Sequence, residues 1–282
     1  MNHEGLSLMT LDELLVSNGA LPSIPKIIAL LLNELGQQEP DVRKISQLIS
    51  TDPVLTSRLL QLANSAQFQF SSQISSVPQA LALTGLHQVR SLATAAAVAG
   101  AFRMVSGVDM HQFWRYSLNV AKLARTLAGM VRLSLPAAFT AGLIHAIGEL
   151  VLHIRLPAEM AVLAQKTDLF SLKRAAAERK LMGFNYADVG AGFARSWLFP
   201  ASIVDALSHQ CRPFENGVYE PTAGIVHLAV WRARARESDY DAQDLIESFP
   251  DVVALALGID IDMALEQDPI DWTSRIEAAV MV

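Results

Sequence analysis

Apolar side chains recur at three- and four-residue spacing through Ile24, Ile27, Ile28, Leu31, Leu32 and Leu35, which places them on one face of an α-helix that Gly36 closes. The same pattern repeats along the chain. Residues 11–16 form a short leader, and Asp41 caps a helix that turns Val42, Ile45, Leu48 and Ile49 inward. Asp52-Pro53 supplies a cap and a first-turn proline for a third helix reaching Phe68, with Val54, Leu55, Leu59, Leu62 and Ala63 inward and Arg58 outward or at an interface.

Residues 92–101 are alanine-rich and uncharged, which predicts a central helix that neighbours approach closely on several sides. Gly107 breaks it, Asp109 caps a helix over residues 110–130, and Leu135-Pro136 opens the next. Pro157, Ser171, Tyr186 and Pro200 mark later starts, and a loop with Pro213, Asn216 and Gly217 precedes a helix over residues 221–236. The tail continues with short helices around Leu245, over 252–257 and over 270–280. No alternating strand pattern, internal repeat or long linker interrupts this order, so the expected fold is all-α.

Within it, residues 141–152 (AGLIHAIGELVL) read as one core helix carrying His145 and Glu149 four positions apart, hence as neighbours. A divalent-metal centre needs histidine and carboxylate ligands converging from at least three helices, because one face offers only two. Beside His145 and Glu149 the third ligand would be His209 or His227. The plainer reading makes His145 a hydrogen-bonded core histidine and Glu149 a partly exposed helix residue. Asp205 and His209, four apart, read as a capping or ion pair, and His87, His111 and His153 as isolated surface or interface residues.

The arginines of Trp231-Arg232-Ala233-Arg234-Ala235-Arg236 point in different directions on a helix and read as a solvated end, with a partner-docking patch as the alternative. Lys173-Arg174 and Arg179-Lys180 read as solvated in the same way. There is no G-x-S-x-G turn, glycine-rich phosphate loop or paired-cysteine zinc spacing.

Composition narrows the functional classes. A chain of 282 residues, 51% hydrophobic, can bury a sizeable core as one large helical domain or two closely packed ones. A net charge of −6 gives no electrostatic reason to bind nucleic acid. The lone Cys211 excludes an intrachain disulfide, reads as a bystander thiol, and fits a reducing cytoplasm. With no basic-then-apolar N-terminus and Arg90 and Arg103 closing the longest weakly polar run, a cytoplasmic protein without a membrane span is expected.

Residues 52–68 (DPVLTSRLLQLANSAQF) closely resemble the DPxLxxRLLxLANSA signature of the HDOD family, the HD-related output domain of bacterial signalling proteins. Residues 74–92 and the LPSIPKI string at 21–27 resemble further motifs of that family in the same order, with Thr84 replacing a usual leucine, and the likeness runs from about residue 20 to about residue 235. Residues 141–152 resemble GLLHDIGKL, the central motif of the related HD phosphohydrolases, with Ala146 where a metal-binding aspartate should follow the histidine. By the same resemblance Tyr116 stands for the first ligand histidine and Val230 for the last aspartate, so only His145 keeps its type.

The resemblance implies an N-terminal leader (1–20), an HDOD domain (21–237, divided into helical part 21–108 and degenerate HD-like part 109–237), and a C-terminal helical extension (238–282). It also implies a non-catalytic regulatory module, without metal or cofactor, that binds a signalling protein or small signal molecule. Tyr116, His145, Glu149, His209 and His227 would lie around the inherited cleft. The competing expectation is a metal-dependent phosphohydrolase with a rearranged ligand set, acting on a nucleotide or cyclic dinucleotide. A homo-oligomerisation module is a third class.

Overall fold

In the computed structural model of the chain, residues 9–16, 26–64, 74–102, 104–197, 199–214, 217, 219–259, 270 and 272 are described. They contain helices and no strands. In chain order these are α1 (Leu11–Val16), α2 (Lys26–Leu35), α3 (Val42–Ser50), α4 (Pro53–Ala63), α5 (Val77–Ala101), α6 (Met110–Met130), α7 (Leu135–Ile144), α8 (Ile147–Arg155), α9 (Pro157–Ala164), α10 (Arg174–Met182), α11 (Tyr186–Ser196), α12 (Ala201–His209), α13 (Pro221–Glu237), α14 (Ala242–Ser248) and α15 (Asp251–Leu257). The expected helix over 270–280 and most of the LPSIPKI string fall outside the described residues.

Local chemistry sets many boundaries. The side chains of Asp41, Asp109 and Ser134 accept from first-turn amides of α3, α6 and α7, which leave N–H groups without intrahelical partners. Asn185 and Asp188 form a reciprocal capping box on α11. Asn64, in the resemblance signature, reads the backbone of Ile74 in both directions: its Nδ2 donates to the Ile74 carbonyl at 2.7 Å and its Oδ1 accepts from the Ile74 amide at 2.8 Å. That clamp ties the end of α4 to the approach of α5.

The first half packs α2, α3 and α4 against α5; in the second, α6 lies on α7, α13 covers both, α12 packs on α7 and α13, and α11 joins α12 to α8. α5 joins the halves: it packs on α7 as well, and Ser91 meets Thr140 in a buried hydroxyl–hydroxyl hydrogen bond of 2.9 Å. One continuous apolar core runs through both. α5 bends at Gly85, whose φ of 74° is open to glycine at little cost.

Two glycines let backbones meet in the second half. A Cβ on Gly142 would lie 2.8 Å from the Cα of Ala121, so α7 sits directly on α6. A Cβ on Gly148 would overlap the Tyr186 carbonyl oxygen and lie 2.8 Å from the Gly190 nitrogen, so α8 rests on the start of α11.

The structure corrects the single helix expected over 141–152. The chain turns at His145 and Ala146, ending α7 and beginning α8. By length and composition the stretch Leu135–Arg155 could cross a membrane, but most of it is buried inside the protein and this turn divides it into two core helices.

Candidate functional site

Four helices bring polar groups into the core of the second half. α6 contributes Tyr116, the end of α7 contributes His145, α13 contributes Arg234, and α11 begins at Tyr186; all four side chains are buried. His145 Nδ1 lies 2.7 Å from the Gly142 carbonyl oxygen, which can only accept, so Nδ1 carries the proton. His145 Nε2, then an acceptor, lies 3.0 Å from the Tyr116 hydroxyl. Arg234 Nε donates to that same hydroxyl oxygen at 3.1 Å, and its Nη1 to the Ser171 carbonyl at 2.8 Å. The hydrogen bonds therefore run one way: guanidinium to phenol, phenol to imidazole, imidazole to backbone.

Electrostatics keep this order. Burial raises the Tyr116 phenol above its ordinary pKa despite nearby Arg234, so it stays a donor. Burial pulls His145 down to about 3, and the Arg234 charge acts in the same direction. The imidazole is neutral at every ordinary pH.

This has a measurable consequence. Below pH 6.5 the unfolded chain protonates His145 and the folded chain does not, so this group lowers stability as pH falls from about 7 towards 4. Wild type should lose more of its urea midpoint between pH 7 and pH 5 than His145→Gln does. Equal losses would show that the imidazole is not held neutral.

Glu149 belongs to a second cluster. Its Oε1 and Oε2 each accept from Arg174 at 3.1 Å, a two-pronged ion pair. Arg174 Nε also reaches Glu178 Oε1 at 2.9 Å, and Glu178 Oε2 accepts from the Tyr186 amide at 2.7 Å. All three side chains are at most 1% exposed. Burial, then the neighbouring Glu149 carboxylate, pushes Glu178 well above the ordinary carboxylate range.

Several expectations change here. His145 and Glu149 do not share a helix face, and Glu149 is wholly buried. Arg174 and Arg234, read as solvated, are 1% and 2% exposed, because carboxylates, carbonyls and a phenol from other helices meet them. The Arg234 guanidinium also lies 5.1 Å from the centre of the Tyr186 ring. Neither arginine was singled out as a site residue. Their one signal is placement on alanine-rich helices, where small neighbours leave room for a long side chain.

The two remaining candidates are partly exposed. His209 donates from Nδ1 to the Asp205 carbonyl at 2.9 Å, within its own helix and not to that residue's carboxylate. His227 donates from Nδ1 to the Gln210 carbonyl at 2.7 Å, and burial lowers its pKa. Gln210 in turn donates from Nε2 to the His145 carbonyl at 2.9 Å, while its buried Oε1 has no donor among the described residues. The chain thus brings Tyr116 and His145 into direct contact, links His227 to them through Gln210, and ties Glu149 and His209 elsewhere. Cys211 accepts from the Tyr186 hydroxyl, and burial pushes its thiol up to about 11, which makes it a poor nucleophile.

A divalent metal does not fit these residues. Both imidazole nitrogens are engaged, the phenol is protonated, and an ion brought to it would meet the repulsion of Arg234. At the other two replaced positions, Ala146 and Val230 offer no ligand atom. Among the described residues no three His, Cys, Asp or Glu side chains gather to hold a metal ion.

Comparison with known proteins gives the following likenesses. The HDOD domain model matches residues 21–213. A candidate phosphohydrolase from Shewanella amazonensis is 29% identical, with a TM-score of 0.71 over 96% of this chain and 94% of that one. An HDOD domain protein of unknown function from Geobacter sulfurreducens, 23% identical, shares the fold with a TM-score of 0.69 over 90% of each chain. An uncharacterized protein of Treponema pallidum is 24% identical over 217 residues, 74% of this chain and 42% of its own length. The chain spans less than half the length of the curated relatives it matches.

Proposed function

We propose, from the premise that this chain belongs to the HDOD family, that it acts by binding, as a regulatory module of signal transduction, and not by hydrolysis. The observation that carries this reading is the one-way chain from Arg234 through Tyr116 to His145. Hydrolysis at an HD-type centre asks for a Lewis acid and an activated water. Here a guanidinium, a neutral phenol and a neutral imidazole satisfy one another instead.

Of the five candidate side chains only His209 and His227 reach the surface, so the docking region lies on their side of the core. Gln210, which joins His227 to His145 in the hydrogen-bond pattern, supports a polar ligand beneath this surface: its buried, orphaned Oε1 would accept from a donor group that a partner peptide or small signal molecule inserts past His227. His145 acts as a strut beneath this rim.

The competing reading is a phosphohydrolase with a rearranged ligand set, favoured by the description of the Shewanella relative. Metal analysis of the purified protein, with hydrolysis of bis(p-nitrophenyl) phosphate under added manganese, separates the two. Expected are substoichiometric metal and background hydrolysis. Stoichiometric iron, manganese, nickel or zinc with turnover that His145→Ala abolishes would overturn the binding reading.

A further inference from the structure

Two buried polar atoms near the junction of α12 and α13 have no hydrogen-bond partner among the described residues. Gln210 Nε2 donates to two carbonyls, those of His145 at 2.9 Å and Leu207 at 3.1 Å, so the orientation of its amide is fixed and Oε1 is left as a spare acceptor. The Tyr219 hydroxyl is the other. Its ring stacks on Phe214 with centres 5.0 Å apart, and its oxygen lies 2.9 Å from where a Cβ on Gly224 would stand. Gly224 and His227 are three residues apart and therefore neighbours on α13, and His227 holds the Gln210 carbonyl, so the two side chains are seated at adjoining positions of that helix. We propose that they anchor an uncharged amide ligand, an extended peptide segment of a partner protein, with Gln210 accepting from an amide N–H and Tyr219 donating to an amide carbonyl.

The chemistry of the two orphans selects the ligand. A buried polar group without a partner carries a desolvation cost that a matching group removes, and Gln210 Oε1 can only accept. Burial, and then the Glu220 charge, raise the Tyr219 phenol to about 12, so that hydroxyl stays a donor. His227 donates through Nδ1, and burial lowers its pKa, so the neutral ring adds a further lone pair at Nε2. An anion would meet these lone pairs and Glu220, and a cation would meet the Arg234 charge that His227 already feels. An amide is uncharged and carries both the donor and the acceptor required. Positions three apart on α13 differ by about 4.5 Å along its axis, and an extended peptide advances about 3.5 Å per residue, so two successive amide groups span them. Phe214 is exposed and His227 partly so, which leaves the junction open to approach from solvent.

This ligand class rests on the binding reading above and names its partner. The matched probes are N-acetylglycinamide and N-acetylglycine, which differ only in a terminal NH2 against a carboxylate oxygen. In NMR of the full chain with 15N-labelled side-chain amides, N-acetylglycinamide should shift Gln210 saturably and leave the exposed Gln243 unmoved. N-acetylglycine should bind at least about 10-fold more weakly. Tyr219→Phe removes a hydroxyl that has no partner among the described residues, so its urea midpoint should match wild type while its affinity for N-acetylglycinamide falls about 2- to 10-fold, the loss of one hydrogen bond. Unchanged affinity in that variant, equal binding of the two probes, or no saturable shift at Gln210 would each overturn the amide ligand. Any of these leaves the binding reading itself standing, since that reading falls with metal-dependent turnover in the hydrolysis assay above.

Discussion

Replacing Arg174 with methionine should cost about 3–5 kcal/mol, the range for removing one partner of a buried ion pair, and lower the melting temperature by roughly 10 °C. The substitution keeps most of the volume and deletes the charge that faces Glu149 and Glu178. Its pH dependence is the sharper test. Glu178 already has a raised pKa in the folded chain, so its contribution is fully present below its unfolded pKa near 4.5 and is lost as pH rises through the folded value. Without the guanidinium the Glu178 carboxyl favours the neutral form more strongly. The variant should therefore lie closest to wild type at pH 5 and fall furthest behind at pH 8. A deficit equal at both would mean that the loss is one of packing alone. Adding Glu178→Gln should recover part of the deficit at pH 8.

Gly148→Ala should cost at least about 4 kcal/mol, at the severe end for single substitutions. The sign is diagnostic, because in a helix interior alanine ordinarily gains about 1 kcal/mol over glycine. Here the new methyl would meet the Tyr186 carbonyl, and no side-chain rotation relieves a clash with backbone. α8 and α11 would have to separate and open the apolar layer between them. Gly190→Ala, whose nearest contact would be 3.5 Å, is the control and should be nearly neutral. Urea midpoints of the two variants decide it, and parity between them would refute this close approach.

How much of this was legible beforehand follows from the range of the forces involved. Asp41 and Asp109 announce their helices because a cap bonds to amides two or three residues on, and Leu135-Pro136 announces α7 by its first-turn proline. The all-α class and the family are shown as expected. The turn at His145 was not legible, since the apolar run continues through it and neither proline nor a left-handed glycine marks it. Nor was the burial of Arg174 and Arg234. A charge goes inside only when distant partners meet it, and those partners lie 25 and 118 positions away along the chain. Tyr116 was placed by resemblance alone. Its bond to His145 depends on how α6 lies against α7, which Gly142 sets and no periodicity records.

The hydrophobic interior that passes through α5 without a seam has a last implication for how the molecule behaves as a material. A chain severed near residue 108 would leave each fragment with a broad oily wall facing water. Melting should then be a single sharp event seen alike by probes on either fragment's side, and the two parts are better regarded as one cooperative body than as tethered modules.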